Sequence, residues 1–496
     1  MNRPAGISRR RACGLIGGCV AGFCGGLLLP AGVAEAQFFG LSQDEERQMG
    51  AAHHPRVIAD HGGVYDDPQL GGYVAVLGAQ VAAASGAPLD RFTFTLLDSP
   101  EINAFALPGG YVYVTRGIAA LVASEAELAA VLGHELGHTI ARHRSRKQGQ
   151  ESFTTLLALG LGTIGGLAGL GSSGLDAAQR FGSDYLRSYS RDQEFEADDL
   201  GIAYMTKAGY APSGAASLLF KLREHARLLA VMAGHSPDEA DAFDVMATHP
   251  QPAARVVRAT QIAQSLGPHG RVGGEAYLDA IEGIAFGSDP DEGVIEGRTF
   301  MHRALGFRFD VPGGFRLLNR PGRVTAVAPP PEPAVIVFER GDGRFQGPMT
   351  QYAQSLAPQG VILRDFERLD INGMEAATGW YEIATESEQL DVRVVTIRMD
   401  ASNIFSFRFV APLWHMARLG RAFRETTYSF QPLTALEATR IQFRRVHTLV
   451  VGPRDRVDSL AALMKVDSHE REWFRLLNGL HPRQEVTAGD RVKLVI

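Results

Sequence analysis

The stretch Val131-Leu132-Gly133-His134-Glu135-Leu136-Gly137-His138 sets the organisation of this chain of 496 residues. Two histidines four residues apart lie one turn apart on one face of a helix, so both imidazoles can reach a single metal ion. The glutamate directly after the first histidine then lies beside the ion, where it can take a proton from a water held there. The pattern predicts His134 and His138 as metal ligands and Glu135 as the general base.

The surrounding residues favour a helix through this motif. Ser124 and Glu127 have the spacing of a capping box, and an apolar stripe follows at Leu128, Val131, Leu132 and Leu136. Gly133 and Gly137 each cost a helix roughly 1 kcal/mol relative to alanine. Two such glycines predict that another backbone passes close to this helix. Because an isolated HExxH motif also arises by chance, the hypothesis requires a third ligand.

A second, acidic helix supplies candidates for that ligand. It begins at Ser190, and its residues Glu194 and Asp198 are four apart and share a face, whereas Glu196 is rotated from Glu194 by about 200°. A metal-bound histidine commonly donates its other N–H to a carboxylate. We therefore predict Glu194 as the third ligand and Asp198 as the acceptor from a ligand histidine. Complementing the helix dipole is the alternative reason for these acids.

Two histidines, one glutamate and an open fourth position are typical of catalytic zinc. The predicted cofactor is accordingly Zn²⁺, one per chain. The ion lowers the pKa of its water to about 7, Glu135 removes a proton, and the resulting nucleophile attacks a peptide carbonyl.

Two short strands precede the motif helix. Residues 103–107 and 111–115 flank the turn Pro108-Gly109-Gly110. A strand beside a metal-binding helix can present its free edge to an extended peptide. This arrangement predicts substrate binding by Asn103, Ala104, Phe105 and Ala106, with an ordinary hairpin as the alternative.

The N-terminal residues indicate export. Residues 1–36 have the pattern of a signal peptide: Arg9-Arg10-Arg11, an apolar run from Cys13 to Leu29, and Ala34-Glu35-Ala36 as a cleavage site. General secretory and twin-arginine export both remain open, and an uncleaved anchor is the alternative. All three cysteines lie in this segment, so the mature chain has no thiol. The predicted location is the periplasm, after removal of the signal peptide.

Charge and hydropathy limit the remaining partners. The formal net charge of -6 argues against nucleic acid binding. Residues 152–175 carry no charged residue and seven glycines. A membrane span, a mobile flap or membrane-touching loop, and a buried segment are all compatible with that composition. Peripheral membrane contact through 152–175 is thus one predicted interaction.

The C-terminal half has a different pattern. A Gly/Asp-rich boundary near 286–300 is followed by alternating stretches typical of antiparallel strands and by helices near 349–357 and 413–424. We predict an α+β sandwich-like domain over 296–432, and its pattern resembles PsbP-like sandwiches. No catalytic constellation is found in it.

The last residues resemble a LysM module over 440–496. The predicted order is strand, helix, helix, strand, and Asn478 matches the asparagine of the second helix. The family's Gly-Asp-Thr turn is replaced by Gly452-Pro453-Arg454-Asp455. Glycan binding, which would make peptidoglycan a partner, and a purely structural cap both stay open.

Several motifs together carry a family resemblance over about residues 38–285. HELGH, the preceding strand, SRDQEFEAD, Thr248-His249-Pro250 and Arg255 resemble the CAAX prenyl protease-type zinc peptidases. This gluzincin family includes bacterial periplasmic proteases of outer-membrane quality control. The resemblance implies the zinc ligands, base and supporting aspartate already named. It adds His249, as oxyanion stabiliser or as a latent fourth ligand, and Arg255 among the catalytic residues.

The chain also departs from that family. It lacks the multiple apolar spans of membrane-embedded members and the helical-repeat tail of some periplasmic ones. Processing of prenylated peptides within a bilayer is therefore not expected.

The fold class predicted for the whole chain is α+β. A mainly helical gluzincin domain with a small edge-strand sheet (37–285) precedes the antiparallel α+β domain and the small LysM-like βααβ domain. The predicted function is an exported zinc metalloendopeptidase that cleaves unfolded or misassembled cell-envelope proteins. The alternatives are a metal-dependent peptidoglycan hydrolase directed by the LysM-like module, and a non-catalytic chaperone or tether.

Overall fold

The computed structural model describes residues 42–143, 189–232, 234, 236–238, 249, 252–320, 322–329, 334–384 and 389–496. The predicted signal peptide (1–36), the segment 152–175, Thr248 and Pro250 lie outside these residues. Gly40–Ile496 form one compact unit. Its apolar side chains gather in three main cores.

The first core lies in the N-terminal region, residues 42–286, which is mainly helical. Ser42 and Ser190 begin their helices with complete capping boxes, and Ser190 is the predicted start of the acidic helix. The described helices of this region are α1 (Gln43–Asp60), α2 (Pro68–Ser85), α3 (Arg116–Leu121), α4 (Glu125–Ile140), α5 (Arg191–Lys207), α6 (Ser213–Met232), α7 (Pro252–Leu266) and α8 (Gly274–Ala280).

A three-stranded sheet packs against these helices. Its order is β1 (Thr93–Leu97), β3 (Tyr111–Thr115), β2 (Ala104–Leu107), with β1 parallel and β2 antiparallel to β3. The β2–β3 hairpin confirms the predicted turn, and Gly109 and Gly110 both adopt positive φ within it. Strand β2 forms one edge of this sheet and contacts α4, which carries the metal motif.

Helix α4 passes through the middle of this region, and its residues Glu125–His138 are all buried. Ser124 accepts from the N–H of Glu127, as predicted. The second half of the predicted capping box is wrong, because the Glu127 carboxylate accepts from the N–H of Ala123 and pairs with Lys221 at 2.9 Å. A buried carboxylate needs a charged partner, and the ammonium group of Lys221 supplies it.

Helices α4 and α5 cross at small residues, which confirms the predicted close approach of a second backbone. A Cβ on Gly133 would lie 2.8 Å from the carbonyl oxygen of Gly201, and one on Gly137 would lie 2.8 Å from that of Ala197. This crossing brings together two parts of the chain that are 56 or more residues apart in sequence.

The middle region forms antiparallel sheets around the second core, with Phe300, Phe307, Phe309, Phe338, Phe405 and Phe407 at its centre. The strands are β5 (Val294–Glu296), β6 (Thr299–His302), β7 (Phe307–Asp310), β8 (Arg316–Arg320), β9 (Arg323–Val327), β10 (Val335–Arg340), β11 (Arg364–Ile371), β12 (Met374–Ala384), β13 (Gln389–Arg398), β14 (Ile404–Pro412) and β15 (Gln431–Pro432). They form a seven-stranded sheet with the order β11-β12-β13-β14-β10-β9-β8 and a four-stranded sheet with the order β15-β7-β6-β5. Helices α9 (Met349–Ser355), α10 (Leu413–Ser429) and α11 (Ala435–Arg440) accompany them.

The C-terminal module, residues 444–496, consists of β16 (Arg444–Val450), α12 (Val457–Ala461), α13 (Glu470–Leu477) and β17 (Arg491–Val495). Strands β16 and β17 pair antiparallel, and β16 also pairs with β4 (Ala285–Phe286) of the N-terminal region. Asn478 joins the end of α13 to β17 by accepting from the N–H of Lys493 and donating to its carbonyl. The elements occur in the predicted order, and the assignment to LysM stays a prediction.

The module is fastened to the N-terminal region by a buried lysine. Lys493 Nζ donates to the carbonyls of Ala120, Leu121 and Val122 at 2.8 Å each. These carbonyls end α3, where a cation is favoured. The third core continues across the contact, since Leu121 and Leu228 pack with apolar residues of the module.

No described helix has both the length and the apolar character that crossing a bilayer requires.

Candidate metal site

Four buried side chains converge where α4 crosses α5. His134, His138, Glu194 and His249 each offer one ligand atom, and these atoms all lie within 4.8 Å of one another. The first two come from α4 and Glu194 from the first turn of α5. Each of the four is at most 8% exposed.

The distances within this cluster fit a tetrahedral ion. Nε2 of His134 lies 3.0 Å from Nε2 of His138 and 3.5 Å from Oε2 of Glu194. Nε2 of His138 lies 3.3 Å from Oε1 of Glu194. Metal–ligand bonds of about 2.0–2.1 Å give a tetrahedron with edges of about 3.3–3.4 Å. The three side chains are therefore spaced as ligands of one metal ion would be.

The hydrogen bonding of His134 also supports its role as a metal ligand. Its Nδ1 lies 2.9 Å from Oδ1 of Asp198, so the proton of the neutral ring lies there and the Nε2 lone pair faces the cluster. Burial lowers the pKa of His138 to about 3. A ring that stays neutral keeps a lone pair for a metal ion.

His249 reaches the cluster from the segment before α7. Its Nδ1 lies 3.0 Å from Oε1 of Glu194 and 3.1 Å from Nε2 of His134. Its Nε2 lies 3.3 Å from Oε1 of Glu135. Burial lowers the pKa of His249, but the charges of Glu194 and Glu135 outweigh burial and raise it to about 10.

Glu135 lies beside the cluster and is 2% exposed. Burial raises its pKa, but the charge of His249 outweighs burial and lowers it to about 2. Its Oε2 has no hydrogen-bond partner within the described part of the chain. A buried, ionised oxygen of this kind can accept a proton from a water in the cluster.

Arg255 on α7 binds the carboxylates of Asp198 and Glu194. Its guanidinium group binds both oxygens of Asp198 at 2.7 Å and lies 2.8 Å from Oε2 of Glu194. Burial raises the pKa of Asp198, but the charge of Arg255 outweighs it and holds this pKa well below its usual range. Arg255 also lies 3.4 Å from the carbonyl oxygen of His249, to which it donates. Arg255 thus holds two carboxylates of the site, and it also lines the cavity beside Glu135.

The predicted substrate residues lie at the edge of the sheet. Ala104 lines a cavity of about 50 Å³ together with Glu135, and Oδ1 of the adjacent Asn103 is buried without a partner in the described structure. Phe105 and Ala106 are at most 3% exposed, and Phe105 stacks on Tyr113. The cavity is otherwise mainly apolar, with walls formed by Ile118, Ala130, Val131, Ile202, Ala215, Leu218, Leu219 and Leu222.

Sequence reasoning missed three residues around His138. The ring of Tyr189 stacks on it with centroids 3.6 Å apart. His143 lies 2.9 Å from its Nδ1, and Glu196 contacts His143 at 3.1 Å. Glu196 faces away from Glu194 on α5, and His143 reaches it from beyond the end of α4, a contact that the period of one helix does not predict. In the sequence, the available sign of these contacts was Tyr189, directly before the Ser190 cap of α5.

Residues 68–263 match the model of peptidase family M48. This M48 region runs from the start of α2 into α7 and contains all four clustered residues as well as Glu135 and Arg255. The match to family M48 does not specify the prenyl protease subtype, so that narrower assignment stays a prediction.

Relatives agree with this match. The chain is 32% identical over 250 residues to a beta-barrel assembly-enhancing protease of Yersinia pestis, covering 48% of each chain. It is 30% identical over 238 residues to the protein of that name from Escherichia coli (strain K12), covering 46% of each. A mitochondrial metalloendopeptidase OMA1 of Schizosaccharomyces pombe is 32% identical over 186 residues, which are 37% of this chain and 53% of that one. The chain spans about half the length of the curated relatives it matches.

Among solved structures, the cyanobacterial PsbP of Synechocystis sp. PCC 6803 is similar at 15% identity and a TM-score of 0.23. The match covers 27% of this chain and 91% of that one. A score this low carries no argument about the middle region, so its predicted resemblance to PsbP stays a prediction.

Proposed function

We propose that this chain is an exported zinc metalloendopeptidase that cleaves unfolded or misassembled proteins of the cell envelope. The observation that carries the proposal is the spacing of His134, His138 and Glu194, which fits one tetrahedral ion with Glu135 beside it. The match of residues 68–263 to peptidase family M48 supports the same reaction class.

Zinc suits this donor set because two imidazoles and one carboxylate are its usual ligands in hydrolytic sites. When bound, zinc polarises the peptide carbonyl and lowers the pKa of a water molecule. Glu135 takes the proton from that water and returns it to the leaving nitrogen, which requires the carboxylate to be ionised at the start. The contact of its Oε1 with His249 favours the ionised form.

We propose that the substrate binds as an extended peptide along β2, with one side chain in the apolar cavity. Ala104 belongs to both features, since it begins β2 and lines the cavity beside Glu135. An extended strand gains main-chain hydrogen bonds at a sheet edge without sequence preference, and a pocket adds the preference. Unfolded proteins expose both extended backbone and apolar side chains, so they suit this site.

His249 is proposed to hold the enzyme in a latent state. Its Nδ1 is close to Glu194 Oε1 and His134 Nε2, at distances suited to a fourth ligand of the same ion. Binding there requires the ring to lose the proton that Glu194 and Glu135 favour in the metal-free site. A ligand there would compete with the water that the reaction needs. Moving away, the same ring could donate a hydrogen bond to the developing oxyanion, the other role that the sequence predicts.

Location and partners rest on the sequence and on the relatives' names. The predicted signal peptide and the resemblance to beta-barrel assembly-enhancing proteases favour the periplasm and outer-membrane substrates. Binding of peptidoglycan by the LysM-like module and membrane contact through 152–175 are further proposals. The module's attachment through Lys493 also supports a structural role.

The test compares Glu135→Gln with the unmodified chain, using denatured casein as substrate. We expect proteolysis to fall to background while one zinc per chain remains, because the ligands are untouched. Glu224→Gln, which alters a surface ion pair on α6, is the matched control and should cleave normally. Casein cleavage by the Glu135→Gln variant at the normal rate would overturn the assignment of the base.

The alternatives separate in the same assay series. Chelator-sensitive release of fragments from purified sacculi, with no cleavage of casein, would favour the peptidoglycan hydrolase. Suppression of aggregation by the Glu135→Gln variant, with no proteolysis by the unmodified chain, would favour the chaperone.

A further inference from the structure

His138, the second histidine of the HELGH motif, has another histidine as the hydrogen-bond partner of its Nδ1. His143 is fully buried, and its Nδ1 lies 2.9 Å from Nδ1 of His138. Nε2 of His143 lies 3.1 Å from Oε2 of Glu196 on α5. A chain of three side chains therefore runs from the metal cluster to a carboxylate that is 48% exposed.

The backbone around His143 is held so that this chain can form. Arg142 adopts a left-handed conformation with φ 53°, which turns the segment after α4 back toward His138. The Arg142 guanidinium group binds Glu46 of α1 at 2.8 Å, and Gln193 donates to the carbonyl of His143. Anchors on two helices thus fix a conformation that non-glycine residues rarely adopt.

The positions of the protons follow from these contacts. A ligand at Nε2 of His138 requires the proton of that ring on Nδ1, so Nδ1 is the donor to His143. Nδ1 of His143 then has to be an acceptor, which places its own proton on Nε2. That proton points to Glu196, whose carboxylate accepts. This one arrangement of neutral rings gives a donor and an acceptor to both contacts, His138–His143 and His143–Glu196.

We propose that His143 and Glu196 are positioning residues that orient His138 as a metal ligand and fix its tautomer. The inference rests on the proposed metal site. It gives the two ligand histidines different supports: Asp198 accepts directly from His134, whereas a neutral imidazole stands between His138 and its carboxylate. The same two sequence segments therefore carry both the ligands and their supports.

The test measures zinc affinity, in the full chain carrying Glu135→Gln to prevent self-cleavage, by competition with a chromophoric chelator. Adding His143→Ala should weaken zinc binding about 10- to 100-fold, as loss of such partners does at other sites. It should also change the absorption spectrum of the Co²⁺-substituted protein. His143→Asn offers an oxygen acceptor in place of Nδ1 and should restore affinity to within about threefold, on the same hydrogen-bond reasoning.

Glu196 supplies a graded comparison. Glu196→Gln keeps an acceptor oxygen and should bind zinc as the parent does, whereas Glu196→Ala should bind it several-fold more weakly. A merely structural role is tested by His225→Ala, which removes another buried histidine packed against Trp473. That control should lower thermal stability and leave zinc affinity unchanged.

The outcomes separate this inference from the proposed function. A folded parent that takes up no zinc would overturn both. A parent that binds zinc, together with a His143→Ala variant of the same affinity and the same Co²⁺ spectrum, would overturn the positioning role alone. Equal weakening by His143→Ala and His225→Ala would also overturn it, since general loss of stability would then explain the effect.

Discussion

Gly133 and Gly201 meet where α4 crosses α5, and a Cβ on Gly201 would lie 2.8 Å from the carbonyl carbon of Gly133. The contact is between backbones, so no flexible side chain can move aside to make room. On α4 the contact lies one residue before His134. On α5 it lies in the turn after Asp198, C-terminal to Glu194. The separation of the two helices at this point therefore sets the distance between the ligands they carry.

Gly201→Ala should push the helices apart, lower stability by about 1–3 kcal/mol and weaken zinc binding, since overpacking displaces backbones. Thermal unfolding and chelator competition measure the two effects. Gly72→Ala is the matched control, because Gly72 is exposed in α2 with open space around its Cβ position. It should be neutral or stabilising, by up to about 1 kcal/mol. An unchanged zinc affinity in Gly201→Ala would contradict this view of the crossing.

His249→Ala should increase basal cleavage of casein and speed the loss of zinc to a chelator. Both follow if Nδ1 of His249 acts as a fourth ligand, because its removal opens a position for water and leaves three ligands. Initial rates on casein and the rate of zinc transfer provide the measurements. A fall in kcat with normal zinc retention would instead assign His249 to transition-state stabilisation, and no change in either would remove both roles.

Ala215→Leu should narrow the apolar cavity beside Glu135 and change which peptides are cleaved. The kcat/KM for peptides with a large apolar side chain near the scissile bond should fall by 10-fold or more, on the order of 1–3 kcal/mol in a hydrophobic pocket. Peptides with alanine there should be affected little. Ala216→Leu alters the neighbouring residue, which does not line the cavity, and should keep the original preference. Equal losses for both peptide classes would rule out a selective pocket.

Lys493→Met should detach the C-terminal module from the N-terminal region. The substitution leaves the buried carbonyls of Ala120 and Val122 without this donor, at about 1–3 kcal/mol for each unsatisfied group. The carbonyl of Leu121 keeps only the longer bond from Lys221 at 3.4 Å. Limited proteolysis should then release the module at a lower temperature. Lys465→Met, at an exposed position of the same module, should have almost no effect. Equal protease resistance of both variants would show that the lysine is dispensable for docking.

Asp391 should make stability depend on pH. It lies on β13 directly opposite Glu382 on β12. Burial raises its pKa to about 6, against a lowering influence of Arg393 and a further raising influence of Glu382. Between its ordinary value of 3.8 and about 6, the folded state holds a proton that the unfolded state has lost, so stability falls as pH rises through this window.

Asp391→Asn removes that effect. Its Tm should exceed that of the unmodified chain above pH 7, and the difference should disappear near pH 3.5. Asp400→Asn is a control of opposite sign, because hydrogen bonds from Asn403 and Ser402 lower the pKa of Asp400. It should lose stability above about pH 4, where the carboxylate is ionised. A difference for Asp391→Asn that is constant with pH would contradict the raised pKa.

Local sequence was sufficient for much of the fold. The start of the acidic helix at Ser190, the β2–β3 hairpin and the alternating strands of the middle region were predicted because each depends on residues within a few positions. Ser124 shows the limit of that reasoning. Its cap was predicted, but the second half of the box failed because Lys221, 94 residues away, provides a stronger partner for Glu127.

The sequence by itself determined which residues can bind a metal, since the four-residue spacing puts His134 and His138 on one helix face and Glu194 and Asp198 on another. It also determined that glycines would allow a close helix crossing. Only the tertiary structure decided that His143, Glu196 and Tyr189 surround His138 and that Nδ1 of His249 approaches Glu194. It also decided that Lys493 donates to the carbonyls at the end of α3. These contacts join segments that no helical or strand period relates, so their geometry depends on how the packed elements cross.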